Sequence, residues 1–138
     1  MKRLEDDLQA GCVTWLRLQY PKLLFYHAKN EGNRASLVKK ANGKSYSPDG
    51  SRNKRMGVLA GTPDLCIVRA KWGYAYPDDN HSWMAMSYGL YVELKAPDGR
   101  QSPAQKEFQT RCEHEGYKYA ICRSFDEFKT LVETYLNS

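Results

Sequence analysis

Two short stretches of this chain carry residues that can do chemistry together. Gly61-Thr62-Pro63-Asp64 sets a carboxylate at the start of an apolar run reaching Arg69, and Tyr91-Val92-Glu93-Leu94-Lys95 ends a second run with a carboxylate and an ammonium. On a strand, residues two apart project to the same face, so Glu93 and Lys95 share one side while Leu94 faces the other. A carboxylate and an ammonium sharing a face with a second carboxylate can hold a divalent cation and a phosphate. That is the minimum equipment for metal-dependent hydrolysis of a nucleic acid backbone. Asp64 and Glu93 would grip one ion from two sides, and Lys95 would orient the attacking water or stabilise the charged phosphorane. Taken separately, a Pro-Asp dipeptide is common turn chemistry and a Glu-x-Lys triplet arises by chance. The combination on adjacent strands points to catalysis.

The rest of the chain must position those residues. Leu4, Leu8, Cys12, Trp15 and Leu16 recur at helical spacing, which predicts an amphipathic helix over about 3–19, ended by Tyr20-Pro21. Leu23 to Ala28 reads as a strand. The polar, basic stretch 29–60 carries Gly32, Gly43, Pro48, Gly50 and Gly57 and reads as a long unstructured segment, which is usually functional. Asp64 to Arg69 and Leu90 to Leu94 are the second and third strands. Between them Pro77-Asp78-Asp79-Asn80 marks the turn of a hairpin excursion rich in aromatic residues: Trp72, Tyr74, Tyr76, Trp83 and Tyr88. Ser102-Pro103-Ala104-Gln105 opens a helix with a capping box and Gly116 ends it. Tyr117 to Cys122 is a fourth strand, and Ser124-Phe125-Asp126-Glu127 opens a last helix to about Leu136. The predicted order is helix, three strands, helix, strand, helix.

Composition narrows the partners. A chain of 138 residues fits one domain with a real core, so residues 1–138 are expected to form a single domain. No run of 18 or more apolar residues exists and the N-terminus lacks an apolar signal stretch, so the expectation is a soluble cytoplasmic protein without a membrane partner. Net charge is +5, with a pI near 9.0. The charge is concentrated: Lys29, Arg34, Lys39, Lys40, Lys44, Arg52, Lys54 and Arg55 stand against only Glu31 and Asp49. Lys39, Lys40, Arg52, Lys54 and Arg55 are therefore candidate contacts to DNA phosphates. Cys12, Cys66, Cys112 and Cys122 form no CxxC pair, and no histidine stands at zinc-ligand spacing; Cys12, Cys66 and Cys122 read as buried structural thiols, while Cys112, on a helix, has no assigned place.

Together, Gly61-Thr62-Pro63-Asp64-Leu65, Glu93-Leu94-Lys95 and Gln101-Ser102-Pro103-Ala104-Gln105-Lys106 resemble the VRR-NUC (virus-type replication-repair nuclease) domain of the PD-(D/E)XK superfamily. Asn30-Glu31-Gly32, Met56-Gly57-Val58, Gly116-Tyr117 and Ala120-Ile121-Cys122-Arg123 extend the likeness over nearly the whole chain. The resemblance implies an α/β, restriction-endonuclease-like core of order αβββαβ. Its mixed sheet is flanked by helices, here with a C-terminal helix and a hairpin-like insertion. It matches Asp64 and Glu93 to the metal-binding acidic pair and Lys95 to the catalytic lysine. It matches Gln105 to the glutamine that completes the site, although the capping box alone accounts for that residue. Glu5 matches the first-helix acid that can hold a second metal or its water. Most relatives connect Asp64 and Glu93 by a shorter segment; the excess is the stretch 71–88.

The implied activity is a magnesium-dependent endodeoxyribonuclease, with manganese as a substitute. Stand-alone relatives in phages and bacteria are similar to resolvases of four-way (Holliday) junctions, which implies a homodimer in DNA repair, because two cuts need two active sites. Flaps and other branched DNA are the alternative substrate, and a DNA-binding module without catalysis the alternative function. Intact Asp64, Glu93 and Lys95 favour the enzyme, because a pure binder has no need of carboxylates that repel phosphate. The aromatic excursion is expected at the surface, with packing on the core, dimer contact and base stacking all open.

Overall fold

A computed structural model describes residues 2–28, 38–39, 45–46, 48–75 and 82–137; for 38–39, 45–46 and 48–50 the description is of the backbone alone. Helix α1 (Lys2–Gln19) leads to strand β1 (Phe25–Tyr26), then to β2 (Val38–Lys39) and β3 (Ser45–Tyr46). Helix α2 (Pro48–Arg55) precedes β4 (Leu65–Ile67), the hairpin strands β5 (Lys71–Tyr74) and β6 (Trp83–Ser87), and β7 (Leu90–Leu94). Helix α3 (Pro103–His114), β8 (Lys118–Cys122) and α4 (Phe125–Asn137) complete the chain. The central sheet runs β1-β4-β7-β8. Its first three strands are antiparallel, and β8 lies parallel to β7 after the α3 crossover. This mixed sheet with flanking helices is the expected αβββαβ core, with α4 appended.

One face of the sheet is dry. Leu65, Ile67, Leu90, Val92 and Leu94 alternate onto it and meet Cys12 and Leu16 of α1 and Phe128, Val132 and Tyr135 of α4. The apolar stripe of α1 frays at its start, where Leu4 is exposed while Leu8 packs against the core. All four cysteines are free and buried. Burial pushes the Cys12 thiol up to about 12 and Cys112 and Cys122 to about 11, so none is a ready nucleophile.

Two expectations need correction. The strand predicted over Leu23–Ala28 shrinks to Phe25–Tyr26. The stretch 29–60 is not featureless: β2 pairs antiparallel with β3, and Pro48–Arg55 is helical. That helix has no apolar face for a periodicity argument to find. Its signals are local, with Pro48 at the start, Arg52, Lys54 and Arg55 in the last turn, and Gly57 beyond its end at φ +94°.

The long excursion is a hairpin, β5 against β6, with Tyr74 opposite Trp83 and Trp72 opposite Ala85. Its base is pinned to the core. The Tyr135 hydroxyl donates to the Arg69 carbonyl (2.6 Å) and lies 3.2 Å from Ser87 Oγ, which itself donates to the Gly89 carbonyl (2.9 Å). The excursion therefore leaves the core register undisturbed: Leu65 pairs with Val92, Cys66 with Tyr91 and Ile67 with Leu90.

Candidate active site

Asp64 and Glu93 meet because β4 and β7 are antiparallel, which puts the start of one beside the end of the other. Asp64 Oδ2 accepts from the Leu94 backbone N–H at 2.7 Å, so the residue between Glu93 and Lys95 fixes the aspartate's carboxylate. Glu93 and Lys95 lie on the face opposite buried Leu94 and are themselves 3% and 9% exposed. Lys95 Nζ stands 3.8 Å from Glu93 Oε1.

Gln105 reaches the same oxygen. Its side chain closes the capping box of α3, with Oε1 accepting from the Ser102 N–H (2.8 Å) while Ser102 Oγ accepts from the Gln105 N–H (3.2 Å). The amide's other end, Nε2, donates to Glu93 Oε1 at 3.0 Å. The capping role and the site contact therefore coexist in one planar group. Gly61 permits this approach. It sits at φ +84°, and a Cβ there would fall 2.5 Å from the carbonyl of Ala104, the residue before Gln105.

Glu5 approaches from α1 and accepts from the Ala96 N–H at 3.1 Å. It thus holds the turn after Lys95, near enough for its charge to raise the proton affinity of both Asp64 and Glu93. Arg123 grips the same turn from just past the end of β8, donating to the carbonyls of Ala96 (3.0 Å) and Gly99 (2.6 Å). His27 enters from beyond β1. The distance from its Nδ1 to the Asp64 carbonyl is 2.6 Å, and because a carbonyl can only accept, the ring carries its proton there.

Sequence reasoning sets His27 aside for lack of ligand spacing and gives Arg123 no role. Neither has a local signature, since each acts through a backbone carbonyl brought close only by the fold.

The two carboxyls are strongly perturbed by burial and by each other. Burial raises the Glu93 carboxyl well above its ordinary range, and the nearby Asp64 charge adds to this while Lys95 opposes it. Burial also raises Asp64, offset in part by the Leu94 N–H, by hydrogen bonding with Glu93 and by His27. Glu93 Oε2 is buried without a hydrogen-bond partner. An orphaned carboxylate oxygen beside a second carboxylate is a poor arrangement in isolation and a good one for a hard divalent ion, which takes oxygen ligands. Asp64 and Glu93 are the two carboxylates that could supply such ligands. Among the described residues no three His, Cys, Asp or Glu side chains are grouped closely enough to hold a metal ion by themselves.

The basic candidates divide. Arg52, Lys54 and Arg55 are placed on the last turn of α2, and all three are exposed. The backbone of Lys39 lies in β2, its side chain outside the description, and Lys40 lies outside the described residues.

Comparison with known proteins agrees with this fold. The profile of the VRR-NUC domain matches residues 4–126. A solved structure described as a VRR_NUC domain protein superposes with a TM-score of 0.66 at 24% identity, over 96% of this chain and 88% of that one. No curated protein matches the sequence. The chain belongs to the VRR-NUC domain family, whose members are nucleases acting on DNA.

Proposed function

We propose that the protein is a metal-dependent, structure-specific DNA endonuclease that resolves four-way junctions as a homodimer. The observation that carries the catalytic part is the convergence of Asp64, Glu93, Lys95 and Gln105 around the carboxylate of Glu93, one oxygen of which has no partner. Asp64 and Glu93 would hold the ion, magnesium or in its place manganese, with Glu5 beside them to bind its water. When bound, such an ion neutralises phosphate charge and makes water more acidic.

The chain's own groups do the rest. Gln105 fixes the rotamer of Glu93, and the Leu94 N–H fixes that of Asp64. Lys95 directs its ammonium at the reacting phosphate, where it orients the attacking water and meets the negative charge that grows as one P–O bond forms and another breaks. Glu5 and Arg123 hold the turn behind Lys95, so the lysine keeps its aim. Arg52, Lys54 and Arg55, with Lys39 and Lys40, would bind flanking phosphates.

The test is cleavage by Glu93→Ala and Lys95→Ala beside the wild type. Both variants should lose cleavage while retaining DNA affinity within a few-fold; full activity in either refutes the assignment. Flaps and other branched DNA are the second reading, favoured by the pocket that Tyr91, Phe108 and Tyr117 line beside Ala104, the neighbour of Gln105.

A further inference from the structure

We infer that the protein takes an unpaired nucleobase, from a nucleotide neighbouring the scissile phosphate, into a pocket between α3 and the loop before Asp64. The inference rests on the nuclease reading and adds to it what the enzyme recognises. The pocket has a volume of about 390 Å³. Leu59 and Ala60 form one wall, and Ala104, Phe108 and Arg111 of α3 another.

Its floor is aromatic. The Tyr91 ring stands edge-on to Phe108 (centroids 5.0 Å apart) and 5.4 Å from Tyr117, which in turn lies 6.1 Å from the exposed ring of Tyr88. This row begins beside the catalytic residues. Tyr91 is two positions before Glu93 on the same sheet face, about 7 Å along the strand. Ala104 adjoins Gln105, whose amide touches Glu93. A phosphate at Glu93 therefore has the pocket within about one nucleotide's reach.

The rim favours a base over a phosphate. Glu107 and Glu115 would repel phosphate, whereas a carboxylate accepts from the exocyclic amino group of a base. Arg111 stands one helical turn from Glu107, and both line the pocket, where they can meet the polar edge of a ring. Stacking against aromatic and apolar side chains with the edge read by polar groups is how extruded bases are held, and extrusion is cheapest where the base is already unpaired, as at a branch point.

The pocket is tested by binding, with calcium in place of magnesium. Four-way junctions and flapped duplexes carry an abasic nucleotide moved one position at a time across the branch point. The wild type should lose about tenfold in affinity when the abasic position falls beside the cut. Phe108→Ala should bind intact DNA about as weakly as the wild type binds that abasic DNA, with no further loss on combining the two changes. Leu59→Trp fills the pocket from an exposed loop position and should act likewise, which keeps the test valid if Phe108→Ala lowers the melting temperature. Wild-type binding indifferent to the abasic nucleotide everywhere, or an abasic penalty undiminished in Leu59→Trp, overturns the inference. Failure of the nuclease reading looks different: no cleavage in magnesium or manganese, with the binding comparison still readable.

Discussion

At the scale of single residues, the site keeps charge where folding alone would remove it. Glu93 is buried, faces Asp64 and leaves one oxygen unbonded, so the folded protein binds a proton there more tightly than the unfolded chain does. The sign of the effect follows. The stability linked to that proton is complete below the ordinary glutamate value of 4.5 and is lost as the pH rises through the raised folded value. Glu93→Gln keeps an acceptor for Gln105 but carries no charge. Melting curves of the metal-free protein should show this variant gaining on the wild type from about pH 5 to about pH 9, by about 5 °C at the upper end. Added magnesium should close the gap by stabilising only the wild type. A variant less stable than the wild type throughout that range would mean that burial does not raise the Glu93 carboxyl. Much of this site is legible in the sequence, because Asp64, Glu93, Lys95 and Gln105 each sit in a motif with local spacing. His27 and Arg123 are not, since their partners are carbonyls remote in sequence.

At the scale of elements, two short segments do the positioning. The loop ending in Asp64 packs so closely on α3 that only glycine fits at position 61. Gly61→Ala should cost about 2 kcal/mol from the left-handed backbone alone. It should also push Ala104 and Gln105 away from Glu93, so cleavage falls further than the melting temperature would suggest. Wild-type turnover in a folded Gly61→Ala protein would show that close packing on α3 is dispensable. Helix α2 presents Arg52, Lys54 and Arg55 nine to twelve positions before Asp64. Replacing these three residues with alanine should lower the log–log salt slope of DNA binding by about one for each phosphate that they neutralise. An unchanged slope would leave them as ordinary solvated charges. The strands flanking the site and both capping boxes can be read from pattern because each carries periodicity or a cap. Helix α2 cannot, because it is uniformly polar and contains Gly50. Nor can the shortness of β1, since strand length depends on its pairing with β4, which local composition does not fix.

At the scale of the whole molecule, the hairpin stands out from the core. Trp72, Tyr74 and Trp83 share one of its faces and are all about half exposed, while Met84 and Met86 lie exposed on the other; Tyr76 falls outside the described residues. The ring contact between Tyr74 and Trp83 (4.9 Å) stiffens the pair without covering it. Such a surface marks a contact, and the proposed homodimer supplies one. Trp72→Ser combined with Tyr74→Ser should give a monomer in sedimentation with little change in melting temperature. A dimer with an intact fold would remove the hairpin from the interface.

The central claim is metal-dependent cutting of branched DNA, and its most direct measurement is cleavage of an end-labelled panel: four-way junction, flap, nicked and plain duplex. In magnesium, paired and symmetric cuts are expected near the branch of the four-way junction, with little cutting of plain duplex, and none of either in EDTA. Cleavage that persists in EDTA, or a junction bound but left intact in both magnesium and manganese, would contradict it.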